Sequence, residues 1–239
     1  MTRPAGRTGV SRTSAVLVLV AVVAVGAVAY EVAPRGGGTP TSSTTSAGTS
    51  LQVTTTPSVP LISPGETQNY TLLQLSGAPP SGSLSLRVFS PNGLSFALNQ
   101  SSFSLSASMR PIPVVLKAGP SLTPGNYSVT VESTVGGASA NHTLGVDVVP
   151  LLIVMENVAF HPANASVPVG TRVTWMNLDS TIGCCDPGNH NVSFRTMVNE
   201  TSPLLTRLET WSYTFETPGQ YLYICTVHPW MTAYLDVEA

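Results

Sequence analysis

Residues 212–231 read SYTFETPGQYLYICTVHPWM. Two runs of alternating residues flank a Pro218–Gly219 turn, the pattern of two β-strands with a break between them. Side chains alternate faces along a strand, so Tyr221, Tyr223 and Cys225 point one way and Leu222 and Ile224 the other. Pro229 cannot continue a ladder, so TVHPWM must turn. A tight loop there brings His228 and Met231 back over the Cys225 sulfur.

Working outward, LLIVMENVAFHPANASVPVGTRVTWMNLD (151–179) gives a strand, a turn and two alternating runs separated by Gly170. The GNHNVSF stretch starts another alternating run, with His190, Val192 and Phe194 on one face. Residues 151–239 therefore read as a β-sandwich, of a size normal for a small domain. Taken one at a time, a strand Cys is usually a small buried hydrophobe, a Met is usually core and a His is usually incidental. The joint pattern decides otherwise: Cys-x2-His-x2-Met with an upstream His is hard to obtain by chance from four His and six Met. Two imidazoles, one thiolate and one thioether select copper in a trigonal site with a weak axial methionine. Zinc gains little from the thioether.

These stretches, with HNVSF and the closing AYLDVEA, resemble the cupredoxins, blue-copper proteins of the plastocyanin, pseudoazurin and amicyanin type. The short loop CTVHPWM is most similar to that of amicyanin. The resemblance implies a Greek-key sandwich binding one copper ion, with His190, Cys225 and His228 as equatorial ligands and Met231 as the axial one. It also implies that Asn191 braces the ligand loop. The implied activity is outer-sphere transfer of one electron, Cu(II) to Cu(I) and back, which makes the protein a carrier and not an enzyme. His228, flanked by Pro229 and Trp230, is expected to present its ring edge through an apolar patch where a redox protein partner docks. His161, before a proline, is expected to be exposed and not a ligand. An oxidase or nitrite reductase is disfavoured, because only His142 and His161 remain for further copper centres.

One stretch departs from the family pattern. In STIGCCDPGNH (180–190), Cys184 and Cys185 are adjacent, five residues before His190. A vicinal disulfide, a dithiol that captures copper or electrons, and a disulfide to another chain are the three readings. In each, Cys225 stays available as a ligand. The second reading supports an alternative function, copper binding and delivery without electron transfer. A surface adhesion protein using the fold as scaffold is a third possibility, against which the intact ligand set argues.

Residues 51–150 alternate in short runs such as SLSLRVF and NYSVTVES, punctuated by SPGE, SPNG and TPGN. They predict a first β-sandwich that resembles the immunoglobulin-like (Ig-like) modules of prokaryotic surface proteins, with a spacer or interaction role. Its one histidine, His142, is read as an ordinary strand or loop residue. Residues 35–50, RGGGTPTSSTTSAGTS, have no apolar periodicity and predict a flexible tether.

In residues 1–34, Arg3, Arg7 and Arg12 precede an apolar run from Ala15 to Tyr30. The arginines stay in the cytoplasm and everything after them is exported. The segment is read as an uncleaved transmembrane helix, although Ala27-Val28-Ala29 also resembles a signal-peptidase site. The expected location is the cell membrane, single-pass, with both sandwiches outside. Sequons at Asn69, Asn99, Asn126, Asn141, Asn164, Asn191 and Asn199 agree with export. Charged residues are 9% of the 239 and the net charge is -2, which argues against a nucleic-acid partner. The fold class expected is all-β outside the N-terminus.

Overall fold

The structure, a computed structural model, describes residues 51–77, 81–105, 110–181 and 186–239. The expected anchor (1–34), the tether (35–50) and the Cys184–Cys185 pair lie outside the described residues. Every regular element among the described residues is a strand, and none of them is a helix long and apolar enough to cross a membrane.

Ten strands occupy the first half: β1 (Gln52–Thr56), β2 (Leu61–Ile62), β3 (Thr67–Gln68), β4 (Leu72–Ser76), β5 (Ser83–Phe89), β6 (Leu94–Leu98), β7 (Ser102–Ser104), β8 (Ile112–Ala118), β9 (Gly125–Val135) and β10 (Ala138–Val148). They form two sheets. One runs β1-β4-β8-β3 with β6 also on β8, and the other runs β2-β10-β9-β5-β7. In β8, IPVVLKA buries every second residue, the half-buried pattern its sequence predicts. The core between these sheets is almost wholly aliphatic, including Leu73, Leu86, Val114, Leu116, Val129 and Val131.

Eight strands make the second half: β11 (Leu151–Glu156), β12 (Ala159–His161), β13 (Asn164–Pro168), β14 (Arg172–Asn177), β15 (Ser193–Phe194), β16 (Thr210–Thr214), β17 (Gly219–Ile224) and β18 (Thr232–Glu238). Their sheets run β12-β11-β14-β16 and β13-β18-β17-β15. The Pro218–Gly219 turn does not make a hairpin. It carries the chain from β16 in one sheet to β17 in the other, with Gly219 at φ +149. The core here is aromatic: Trp175, Phe194, Phe215, Tyr221 and Tyr223 meet mostly edge to face, as at Phe215–Tyr221, with centroids 4.7 Å apart.

Two sequence expectations change. The predicted alternation over residues 190–194 is absent: all five residues are buried and only Ser193–Phe194 is strand. Residues 200–205 pair alongside this segment, through Phe194 N–H to Glu200 O (3.0 Å) and Ser202 N–H to Val192 O (2.8 Å), while Asn191 bonds to Thr226 and Ser193 Oγ meets Thr201 Oγ1 at 2.8 Å. Strand β14 likewise buries both faces. Val173 and Trp175 enter the aromatic core, while Met176 and Leu178 are covered by Leu61, Val149 and Tyr70 from the first half. The Leu152 N–H also donates to Ser63 Oγ at 2.6 Å across this junction. Of the sequon asparagines, Asn191 is buried, which closes it to a glycan, and the other six are exposed.

Candidate metal centre

Strand β17 delivers Tyr221, Tyr223 and Cys225 to the core side, all essentially buried. Beyond it the loop closes on itself: the Cys225 N–H donates to Met231 O (3.0 Å) and the Met231 N–H to His228 O (2.8 Å). Met231, 2% exposed, is thereby packed under the loop beside Cys225. His190 is fixed by reciprocal backbone bonds with Leu205, at 3.2 and 2.7 Å. Asn191 Oδ1 accepts from the Thr226 N–H (2.7 Å) and the Thr226 hydroxyl (3.1 Å), tying the His190 segment to the ligand loop.

Three ligand atoms converge. Cys225 Sγ lies 3.7 Å from Nδ1 of His190 and 3.7 Å from Nδ1 of His228, and the two Nδ1 atoms are 3.1 Å apart. The opposite ring nitrogens face carboxylates: His190 Nε2 donates to Asp179 Oδ2 at 2.8 Å and His228 Nε2 to Asp186 Oδ2 at 2.6 Å. An ionised carboxylate only accepts, so each Nε2 carries a proton and each Nδ1 of a neutral ring turns a lone pair inward. Two lone pairs and a thiolate then face one another in a buried space. One proton can relieve only part of that repulsion, whereas a metal ion satisfies all three donors, so the residues fit a soft, positively charged guest.

The same geometry moves proton affinities. Burial pushes the Cys225 thiol up, but the adjacent His190 and His228 rings and hydrogen bonds from the Asn191 and Val227 backbone outweigh it and bring the thiol down to about 6. Burial opposes charge on His190, yet contact with Cys225 and Asp179 raises its pKa. The Gly188 N–H and His228 hold the Asp186 carboxyl below its usual range.

The two carboxylates were not legible in the sequence as site residues. Asp186 stands in a DPG turn signal and Asp179 at the end of a strand run, and neither spacing points to a histidine. The surroundings of His228 also differ from expectation. His228 is 6% exposed and its Nε2 meets Asp186, so little of the ring edge reaches solvent. Trp230, 71% exposed, stands edge-on to it with centroids 5.4 Å apart. Exposed Val227 and Leu204 line a cavity beside His228 together with Asp186, Pro187 and Asn189, and Pro229 is exposed as well. His161 is exposed and outside the cluster, and His142 Nε2 pairs with Ser133 Oγ at 2.9 Å.

Residues 149–238 match the family model described as copper binding proteins, plastocyanin/azurin family. Amicyanin-alpha of Methylorubrum extorquens is 32% identical over 83 residues, a match that takes in 33% of this chain. The chain spans 64% of the length of that curated relative. Among solved structures, a novel purple cupredoxin from Nitrosopumilus maritimus is 29% identical, with 37% of this chain and 99% of that chain covered and a TM-score of 0.33. The reduced state of an amicyanin variant is 27% identical, with 37% and 81% covered and a TM-score of 0.32. By the family model it matches, the segment 149–238 is a cupredoxin domain, with His190, Cys225 and His228 as its candidate copper-ligand group.

Proposed function

We propose that this chain is a membrane-tethered blue-copper protein that carries one electron between redox partners outside the cytoplasm. The observation that carries the reading is the convergence of Cys225 Sγ and the Nδ1 atoms of His190 and His228, all within 4.8 Å of one another. His190, Cys225, His228 and Met231 would hold the copper ion, which would supply one-electron chemistry with no bond made or broken in a substrate.

The protein's own part is to hold still. The carboxylate-bound Nε2 protons fix both ring orientations, Asn191 ties the two ligand segments together, and the loop's backbone bonds set its shape. Val227, Pro229, Trp230 and Leu204 offer a small apolar face suited to brief docking of a redox protein. Copper delivery through Cys184 and Cys185, which lie outside the described residues, is the alternative.

The test is the absorption and EPR spectrum of the full-length protein after addition of Cu(II). The expected result is an intense thiolate-to-copper band in the red with narrow copper hyperfine splitting, both lost in Cys225→Ser. A colourless protein, or an ordinary square-planar copper signal, would overturn the reading.

A further inference from the structure

We infer that Asp186 is a positioning residue that caps His228 and biases the centre toward the more highly charged state of its metal ion, an inference that rests on the copper reading above. The side chain is built into place. Its Oδ1 accepts the Gly188 N–H at 2.8 Å and its Oδ2 accepts His228 Nε2–H at 2.6 Å, so both oxygens are spoken for. Gly188 is itself held, since its carbonyl accepts from Asn177 Nδ2 at 2.7 Å. It sits at φ +69, where an added Cβ would fall 1.9 Å from the Ser180 carbonyl oxygen, so only glycine fits. Through Gly188, the buried Asn177 at the end of β14 sets where the Asp186 carboxylate stands.

The charge count gives this placement its consequence. Asp179 caps His190 in the same way, so the thiolate and two carboxylates put three negative charges around one metal position. A dication leaves one of them uncompensated and a monocation leaves two. In a largely buried site that difference favours the dication, and it is transmitted through the imidazole, whose donor strength rises when its far N–H is bound to an anion. The two carboxylates differ in what else they do. Asp179 also accepts from the Asn157 and Val158 N–H groups, at 2.8 and 2.9 Å, and so holds a turn whose two residues lie at φ 53 and 57. Among the described residues Asp186 holds one backbone group, the Gly188 N–H two positions on, and its side chain is 34% exposed. It can therefore be altered without dismantling the core.

Asp186→Asn keeps the shape and an accepting oxygen but removes the charge, and Asp186→Glu keeps the charge. The full-length wild type and both variants are titrated with Co(II), and the copper-loaded forms are titrated for reduction potential. Asp186→Asn is expected to bind Co(II) about 10-fold more weakly. Its ratio of Cu(II) to Cu(I) affinity should fall about 10-fold, a rise in potential of about 59 mV, with Asp186→Glu lying between it and the wild type. Unchanged Co(II) affinity and unchanged potential in a folded Asp186→Asn protein would overturn the inference. If the wild type gives no blue-copper spectrum, the copper reading fails separately, and the Co(II) comparison still decides the role of Asp186.

Discussion

The two halves of the molecule bury different things. The first, from β1 to β10, fills its core mostly with Leu, Val and Ile, and among its described polar residues buries only Thr55, Ser63, Thr71 and Ser133. The second, from β11 to β18, packs aromatic rings against one another and also buries Asn177, Asp179, His190, Asn191 and His228. Buried polar groups are costly unless bonded, and here they are bonded to one another at one end of the sandwich. An aliphatic core asks only for volume, whereas a polar cluster asks for a particular arrangement, and it is the arrangement that a metal ion reads.

Three experiments press on that contrast. The largest effect is expected for Leu116→Ala, a fully buried side chain of the first core, which should cost about 2–5 kcal/mol in denaturant unfolding. The copper spectrum of the molecules that remain folded should not move. A spectral shift would mean that the first core shapes the metal centre. Next comes Asn177→Ala in the second half. Its side chain donates to Gly188 O and Leu205 O and accepts the Asp179 N–H, so its loss should cost about 1–3 kcal/mol for a buried group left unpaired. Metal affinity should fall about 10-fold as well. A purely structural loss, with affinity intact, would break the proposed link between β14 and the ligands.

The third effect belongs to pH and is confined to the second half. In the metal-free protein, Cys225 has a folded pKa of about 6, below its unfolded value of 9.0. Its thiolate therefore adds stability that is complete above the unfolded value and is lost as pH falls through about 6. His190 is raised in the folded state, so its contribution is present at low pH and is lost as pH rises through the raised value. The two limbs make a bell, which calorimetry with chelator present should trace with an acid limb near pH 6. Copper displaces the proton held between these groups, so loading should release protons and weaken as pH falls. A flat stability profile across both limbs would remove the imidazolium–thiolate pair from the account.

Much of the second half was legible because its chemistry is local in sequence. Alternation placed Tyr221, Tyr223 and Cys225 on one face, and Pro229 forced the loop that returns His228 and Met231. Asn191 was reached only through resemblance, and its bond to Thr226 is a contact 35 residues away along the chain. The carboxylates on the two histidines were out of reach for the same reason: Asp179 meets His190 and Asp186 meets His228 by folding, 11 and 42 positions apart. The alternation expected from His190 to Phe194 failed because the positions that strand periodicity assigns to solvent are themselves engaged: Asn191 bonds to Thr226 and Ser193 Oγ meets Thr201 Oγ1. In the first half, turn signals such as SPNG marked the strand ends, while the order in which ten short strands pair depends on contacts no local pattern encodes.

Strand β14 shows one thing more. Its inner face carries Trp175 and, at its end, Asn177, while Met176 and, just past the strand, Leu178 rest against Leu61, Val149 and Tyr70. The junction near residue 150 is therefore a seam and not a hinge. Cutting the chain there would leave the copper-binding half with an oily stripe on the back of the strand that leads to its site, a surface that invites self-association.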